Sequence, residues 1–147
     1  MTIALGSDHA SFELKECIKA ELGKMGYTVN DLGSDSKKSV DYPDYAVKVA
    51  REVKAAKADY GILFCGSGIG MSIAANKVQG IRAALCNDLY LAEMARRHNN
   101  ANILVMGGRV IGKGLALEIL KKFLNTAFEG GRHQDRLDKV TKIEQEQ

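Results

Sequence analysis

A thiol set among glycines is the first feature of this chain that could do chemistry. Cys65-Gly66-Ser67-Gly68-Ile69-Gly70 follows the smooth apolar run Gly61-Ile62-Leu63-Phe64 and precedes Met71 to Val78, where apolar residues recur at helical spacing. The run reads as a strand buried on both faces. The alternate glycines admit positive φ and let a ligand come close to the backbone. Strand, glycine loop and helix together turn backbone N–H groups toward one point at a helix N-terminus, which makes an anion site. Cys65 stands at the mouth of that nest, where N–H donors stabilise a thiolate. It could serve as a nucleophile or as a base, and nucleophilic use normally requires a histidine within hydrogen-bond reach.

The other candidates need weighing one by one. His9, beside Asp8 at the end of the first apolar run, is as well read as a satisfied structural histidine as a ligand contact. Asp8 could hold a sugar hydroxyl or orient a neighbour. Asp41-Tyr42-Pro43 could wall a crevice or simply start a helix. Arg132 and Arg136 are spaced i, i+4, two guanidinium forks on one side of a helical turn for a single phosphate; taken alone they are a solvated basic tail. Cys17, on the core face of its helix, is packing, and Cys86 fits either reading. Two motifs are decoys. G-x-G-x-x-G fails at Met71, and Gly107 to Gly114 lacks the hydroxyl residue that closes a P-loop. Arg109 could still meet a ligand phosphate. No His, Asp and Glu set has metal-ligand spacing, so neither a metal nor another cofactor is expected.

The elements that must position these residues alternate. Thr2–Leu5, Tyr27–Val29, Gly61–Phe64, Ile81–Cys86 and Ile103–Met106 read as strands. Helices are expected over Ala10–Met25, from Pro43 to about Ala56, from Met71 to Val78, over Leu89–Arg97 and over Leu115–Phe128, with a short amphipathic segment in the tail 129–147. Such alternation implies right-handed βαβ units: a single α/β domain, 1–147, with a Rossmann-like, doubly wound, five-stranded parallel sheet in the order 2-1-3-4-5 and helices on both faces. Ligands bind where the winding reverses, here between strands 1 and 3, so Asp8-His9 and Cys65-Gly66-Ser67 face one crevice. His98 does not. Its helix descends ~15 Å from that edge at 1.5 Å per residue, and the tail starts from the same wrong side. His98, Asn99, Arg132 and Arg136 suit a sugar phosphate yet gather away from the thiol. A two-fold dimer that brings this side against a partner's crevice resolves the conflict.

Composition narrows the class. The chain has 147 residues, 46% hydrophobic and 27% charged, with a net charge of only +3, which does not argue for nucleic acid. No apolar run reaches the ~18 residues of a membrane span, and no signal-peptide pattern is present. Three cysteines without C-x-x-C spacing argue against a disulfide framework and suggest a reduced, cytoplasmic protein.

Taken in order, Ser7-Asp8-His9, Asp41-Tyr42-Pro43, CGSGIG followed by IAANK, Arg96-Arg97-His98-Asn99-Asn100 and GGRHQDR resemble the type B ribose-5-phosphate isomerases, a family that includes galactose-6-phosphate and allose-6-phosphate isomerases. The resemblance runs from the first strand to the tail. It implies a metal-free aldose–ketose isomerase of the pentose phosphate pathway, working as a homodimer or tetramer with shared sites and with the tail packed on a partner subunit. It also implies roles: Cys65 as the base between C1 and C2, and Ser67 with the amides of Gly66, Gly68, Ile69 and Gly70 around the enediolate oxygen. His98 would open the ring with Asp8 assisting. His9, Arg132, Arg136 and Arg109 would bind phosphate, and Asn99 a sugar hydroxyl, with Tyr42 lining the site. Some relatives carry a glutamate base where this chain has Met71, so the chain resembles the cysteine type; many have threonine at position 67. Isomerases of six-carbon phosphosugars, or a non-catalytic phosphate or nucleotide sensor, are the competing expectations.

Overall fold

A computed structural model describes residues 1–146, whose core is one parallel sheet. Its strands are β1 (Thr2–Ser7), β2 (Thr28–Asp31), β3 (Tyr60–Cys65), β4 (Ala83–Leu85) and β5 (Ile103–Gly107). The helices are α1 (Phe12–Lys24), α2 (Tyr42–Lys54), α3 (Ile69–Ala75), α4 (Leu89–Arg97), α5 (Lys113–Leu124) and α6 (Arg132–Gln145). All strand pairs are parallel.

Alternation along each strand divides the core in two. Ile3, Leu5, Ile62, Phe64, Leu104 and Met106 point to α1, α4 and α5, packing with Ile18, Leu22, Ala95, Ile119 and Phe123. Ala4, Leu63, Cys65, Ile103 and Val105 point the other way, onto Ala46, Val49, Met71 and Ala75 of α2 and α3. The side chain of Cys65 therefore leaves the sheet on the α2/α3 face.

The strand order is β2-β1-β3-β5-β4, which corrects the expected 2-1-3-4-5. Burial explains the exchange. Every residue of β5 is buried, as an interior strand of a covered parallel sheet must be, whereas β4 is three residues long and half-exposed beyond Ala83. The reversal between β1 and β3 is unaffected, so the crevice keeps its expected place. Boundaries also differ: β4 covers only Ala83–Leu85 of the expected Ile81–Cys86, and α3 runs over Ile69–Ala75 where Met71–Val78 was expected. The fifth long helix stops at Leu124, with Asn125 as its cap, short of Phe128. The tail is a 14-residue helix, α6, and no short segment. Leu137 is its buried anchor, while Val140 and Ile143 stay exposed beside a groove of about 830 Å³ that Ile81, Leu85, Leu91 and Met94 also line.

Candidate active site

β1, β3 and β5 end together, and a crevice of about 460 Å³ opens over their last residues. Asp8, His9, Tyr42, Cys65, Gly66, Ser67, Gly70 and Arg109 line it, with Ala10 and Val110. Eight of the expected site residues are thus brought together. Asp8 prolongs the β1–β3 ladder through its N–H to the Phe64 carbonyl (3.1 Å), and its Oδ1 accepts from the Ala10 amide (3.0 Å). That bond starts the short turn His9–Ser11, which points His9 over the crevice. The Val40 amide donates to His9 Nδ1 (3.2 Å). With Nδ1 accepting, the proton of a neutral His9 sits on Nε2, a donor suited to an anion.

The glycine loop is shaped by contacts as much as by dihedral freedom. Gly68 caps α3 at φ +82, and a Cβ there would stand 2.4 Å from Leu85 Cδ1, so no side chain fits. Its N–H donates to Cys65 Sγ at 3.2 Å, holding the sulfur at the crevice wall, where only 5% of the residue is exposed. Ser67 Oγ accepts from the Ile69 amide (3.2 Å), which leaves its hydroxyl proton free to turn outward. The amides of Gly108 and Arg109 close onto the carbonyls of Cys65 and Gly66, both at 2.9 Å. The Gly66 and Ser67 N–H groups make no hydrogen bond among the described residues, so two donors remain for a developing oxyanion. The Tyr42 ring lies against Gly70 and the Arg109 side chain over Gly66. Ile69 caps the loop with an exposed side chain.

His98, Asn99, Arg132 and Arg136 lie elsewhere, beyond the opposite edge of the sheet. His98 caps the far end of α4, four residues before Asn102, whose carbonyl accepts from the Gly61 amide at the start of β3. Arg132 and Arg136 share one exposed side of α6 and form no ion pair among the described residues. Two partners escaped the sequence reading. His133 stacks on His98, ring centroids 4.2 Å apart, and Glu129 Oε2 lies 3.3 Å from His133 Nε2. The E-x-x-x-H spacing was the available signal, but Gly130 and Gly131, both at positive φ, put Glu129 outside the helix. Burial, aided by His98 and Arg132, lowers the His133 pKa. The hydrogen bond from Arg97 holds the Glu129 carboxyl below its ordinary value.

The thiols differ in surroundings. All three cysteines are unpaired, and burial pushes the Cys86 thiol up to about 12, with Asp88 adding to the effect. Cys86 is thus inert packing. No described helix is long and apolar enough to cross a membrane.

Comparison with known proteins agrees over nearly the whole length. Ribose-5-phosphate isomerase B of Escherichia coli (strain K12) is 48% identical over 143 residues, covering 97% of this chain and 96% of the relative. D-erythrulose-4-phosphate isomerase of Pectobacterium atrosepticum is 45% identical over 141 residues, 95% of this chain and 93% of the relative. The solved structure of Clostridium thermocellum ribose-5-phosphate isomerase B superposes with a TM-score of 0.99 at 51% identity, covering 99% of both chains. The family model described as Ribose/Galactose Isomerase matches residues 3–140. A doubly wound sheet with a thiol-bearing glycine loop at its reversal point, shared end to end with such relatives, makes this chain a member of the Ribose/Galactose Isomerase family.

Proposed function

We propose that the protein interconverts ribose 5-phosphate and ribulose 5-phosphate through a cis-enediolate. The observation that carries this reading is the meeting of the Cys65 sulfur with two unpaired loop amides and the Ser67 hydroxyl in one crevice. On the open-chain aldose, the Cys65 thiolate takes the C2 proton. The C–H electron pair forms the C1=C2 bond as O1 gains charge, and the Gly66 and Ser67 amides stabilise that oxygen. The O2 proton passes to O1, relayed by a neighbouring hydroxyl such as that of Ser67, and Cys65 returns its proton to C1 as the C2 ketone forms. No electrons leave the sugar, so the step calls for no redox cofactor. His9 and Arg109 bind phosphate from within the crevice, and Tyr42 lines it. Phosphate held away from the reacting carbons orients the chain.

His98 opens the furanose ring from a second subunit, with Asp8 of the crevice assisting, while Arg132 and Arg136 of that subunit complete the phosphate site and Asn99 holds a hydroxyl. The working unit is accordingly a homodimer, or a tetramer built from two such dimers. The apolar groove under α6 and the exposed Leu91, Val140 and Ile143 supply the surface for such an assembly.

Cys65→Ala should bind sugar phosphate and lose isomerisation by at least two orders of magnitude, together with proton exchange into the sugar from heavy water. Substantial turnover by that variant would remove the assigned base. A four-carbon substrate is the second reading, favoured by the erythrulose-4-phosphate relative at nearly the same identity. Comparing kcat/KM on ribose 5-phosphate, erythrulose 4-phosphate and the six-carbon allose and galactose 6-phosphates decides the chain length.

A further inference from the structure

His98, Glu129 and His133 each offer one ligand atom, and these three atoms lie within 4.8 Å of one another. Glu129 Oε2 is 3.3 Å from His133 Nε2 and 4.0 Å from His98 Nε2. Zinc holds imidazole nitrogen and carboxylate oxygen at about 2.0–2.2 Å, so two ligands of one tetrahedral ion sit about 3.3 Å apart. His133 and Glu129 already have that spacing. His98 must turn out of its stack on His133, where the rings lie 11° from parallel, and close on the other two atoms from a spread of up to 4.8 Å. His98, at the end of α4, is partly exposed and able to turn, whereas His133 is buried. Glu129 is oriented for the task, because Arg97 occupies Oε1 and leaves Oε2 facing the imidazoles. Arg97, Arg132 and Arg136 flank the cluster and oppose a cation. A weakly bound hard ion such as Mg²⁺ is therefore disfavoured, and imidazole ligands select zinc and its neighbours.

We propose that His98, Glu129 and His133 form a three-ligand site for a divalent transition-metal ion of the zinc class, with the fourth position open. A metal held there occupies the His98 imidazole and inhibits reaction of the cyclic sugar. That consequence rests on the ring-opening role proposed for His98; the metal site itself does not.

The test is calorimetric titration of the chelator-stripped wild-type protein with Zn²⁺ in a non-chelating buffer, paired with the visible spectrum of the Co²⁺ form. Wild type and Cys65→Ser should each bind one ion per chain. Glu129→Gln and His133→Gln should bind at least tenfold more weakly and lose the intense bands of four-coordinate cobalt. His133 is buried and its variant can fail for want of folding, so the partly exposed Glu129 carries the decision. No stoichiometric binding to wild type, or binding that Glu129→Gln leaves intact, overturns the site; loss of binding in Cys65→Ser would place the ion in the crevice instead. Neither measurement involves a sugar, so both are independent of the isomerase assignment. Zinc should slow the cyclic aldose and spare an open-chain substrate; equal inhibition of both overturns the blockade of His98.

Discussion

Cys65 and Cys86 end neighbouring stretches of chain, yet their surroundings give them opposite uses. Cys65 Sγ receives an N–H from Gly68 at the wall of a crevice, while Cys86 is sealed in the core with its thiol pushed up to about 12. The second value has a consequence for stability. The ordinary value for the thiol is 9.0, so between that pH and about 12 the unfolded chain ionises Cys86 while the folded chain keeps the proton. Its contribution is complete below pH 9 and is lost as pH rises toward 12. Urea unfolding of Cys86→Ala should show a shallower fall in stability across that window than wild type; parallel curves would mean the thiol is not shielded. His98 permits a different test at the same scale. His98→Asn should slow reaction from the cyclic aldose by 10²- to 10⁴-fold, on the order expected for losing an acid–base group, and leave an open-chain substrate nearly unaffected. Equal losses on the two substrates would count against ring opening.

At the level of elements, a buried ion pair supports the crevice from below. Lys15 of α1 is 1% exposed and gives its ammonium to both oxygens of Asp31 at the end of β2, at 2.9 and 2.7 Å. Asp31 Oδ1 also accepts from the Gly33 amide, and Gly33 and Ser34 pair with Ser7, the residue before Asp8. Burial raises the Asp31 pKa, but Lys15, Lys19 and the Gly33 N–H outweigh it and hold the carboxyl below its ordinary value. The stability it lends is full above the unfolded pKa of about 3.9 and is lost as pH falls through the lower folded value. Asp31→Asn should cost about 3 kcal/mol, because it leaves the Lys15 charge with only the more exposed Glu16. Acid unfolding of the variant should also start from a lower plateau and lack part of the wild-type slope. This pair was not legible in the sequence. Lys15 occupies a position that reads as solvent-facing, and only the packing of α1 against β2 reveals its partner. The glycine loop, by contrast, was legible because strand, glycines and helix lie consecutively. Strand order failed because it was taken from chain order: Ile81–Cys86 carries Arg82 and two alanines where Ile103–Met106 is wholly apolar, and that difference marks the edge strand against the interior one.

For the whole molecule, the sequence placed the thiol and the distal histidine at opposite ends of one subunit, from helix length and chain direction alone. The coordinates keep them apart: Cys65 lines the crevice, and His98 packs beyond the far edge with His133 and Glu129. What the sequence could not give was that second group's company, since Glu129 and His133 meet His98 only through the turn at Gly130 and Gly131. A site shared between subunits has a consequence that a site within one chain lacks. On the proposed shared site, Cys65→Ala and His98→Asn homodimers should each be inactive on the cyclic aldose, the first lacking the proposed base and the second the proposed ring-opening group. A hybrid dimer pairs them so that one crevice carries both lesions and the other carries neither. Random re-association of equal amounts makes half of the dimers hybrid, each with one intact site of two, so activity should return to roughly a quarter of the wild-type value. Mixing after mild dissociation, with the rate followed against the fraction of each variant, measures this directly. If each chain instead supplied its own His98 to its own Cys65, every site would keep one lesion at every mixing ratio, and no activity would return.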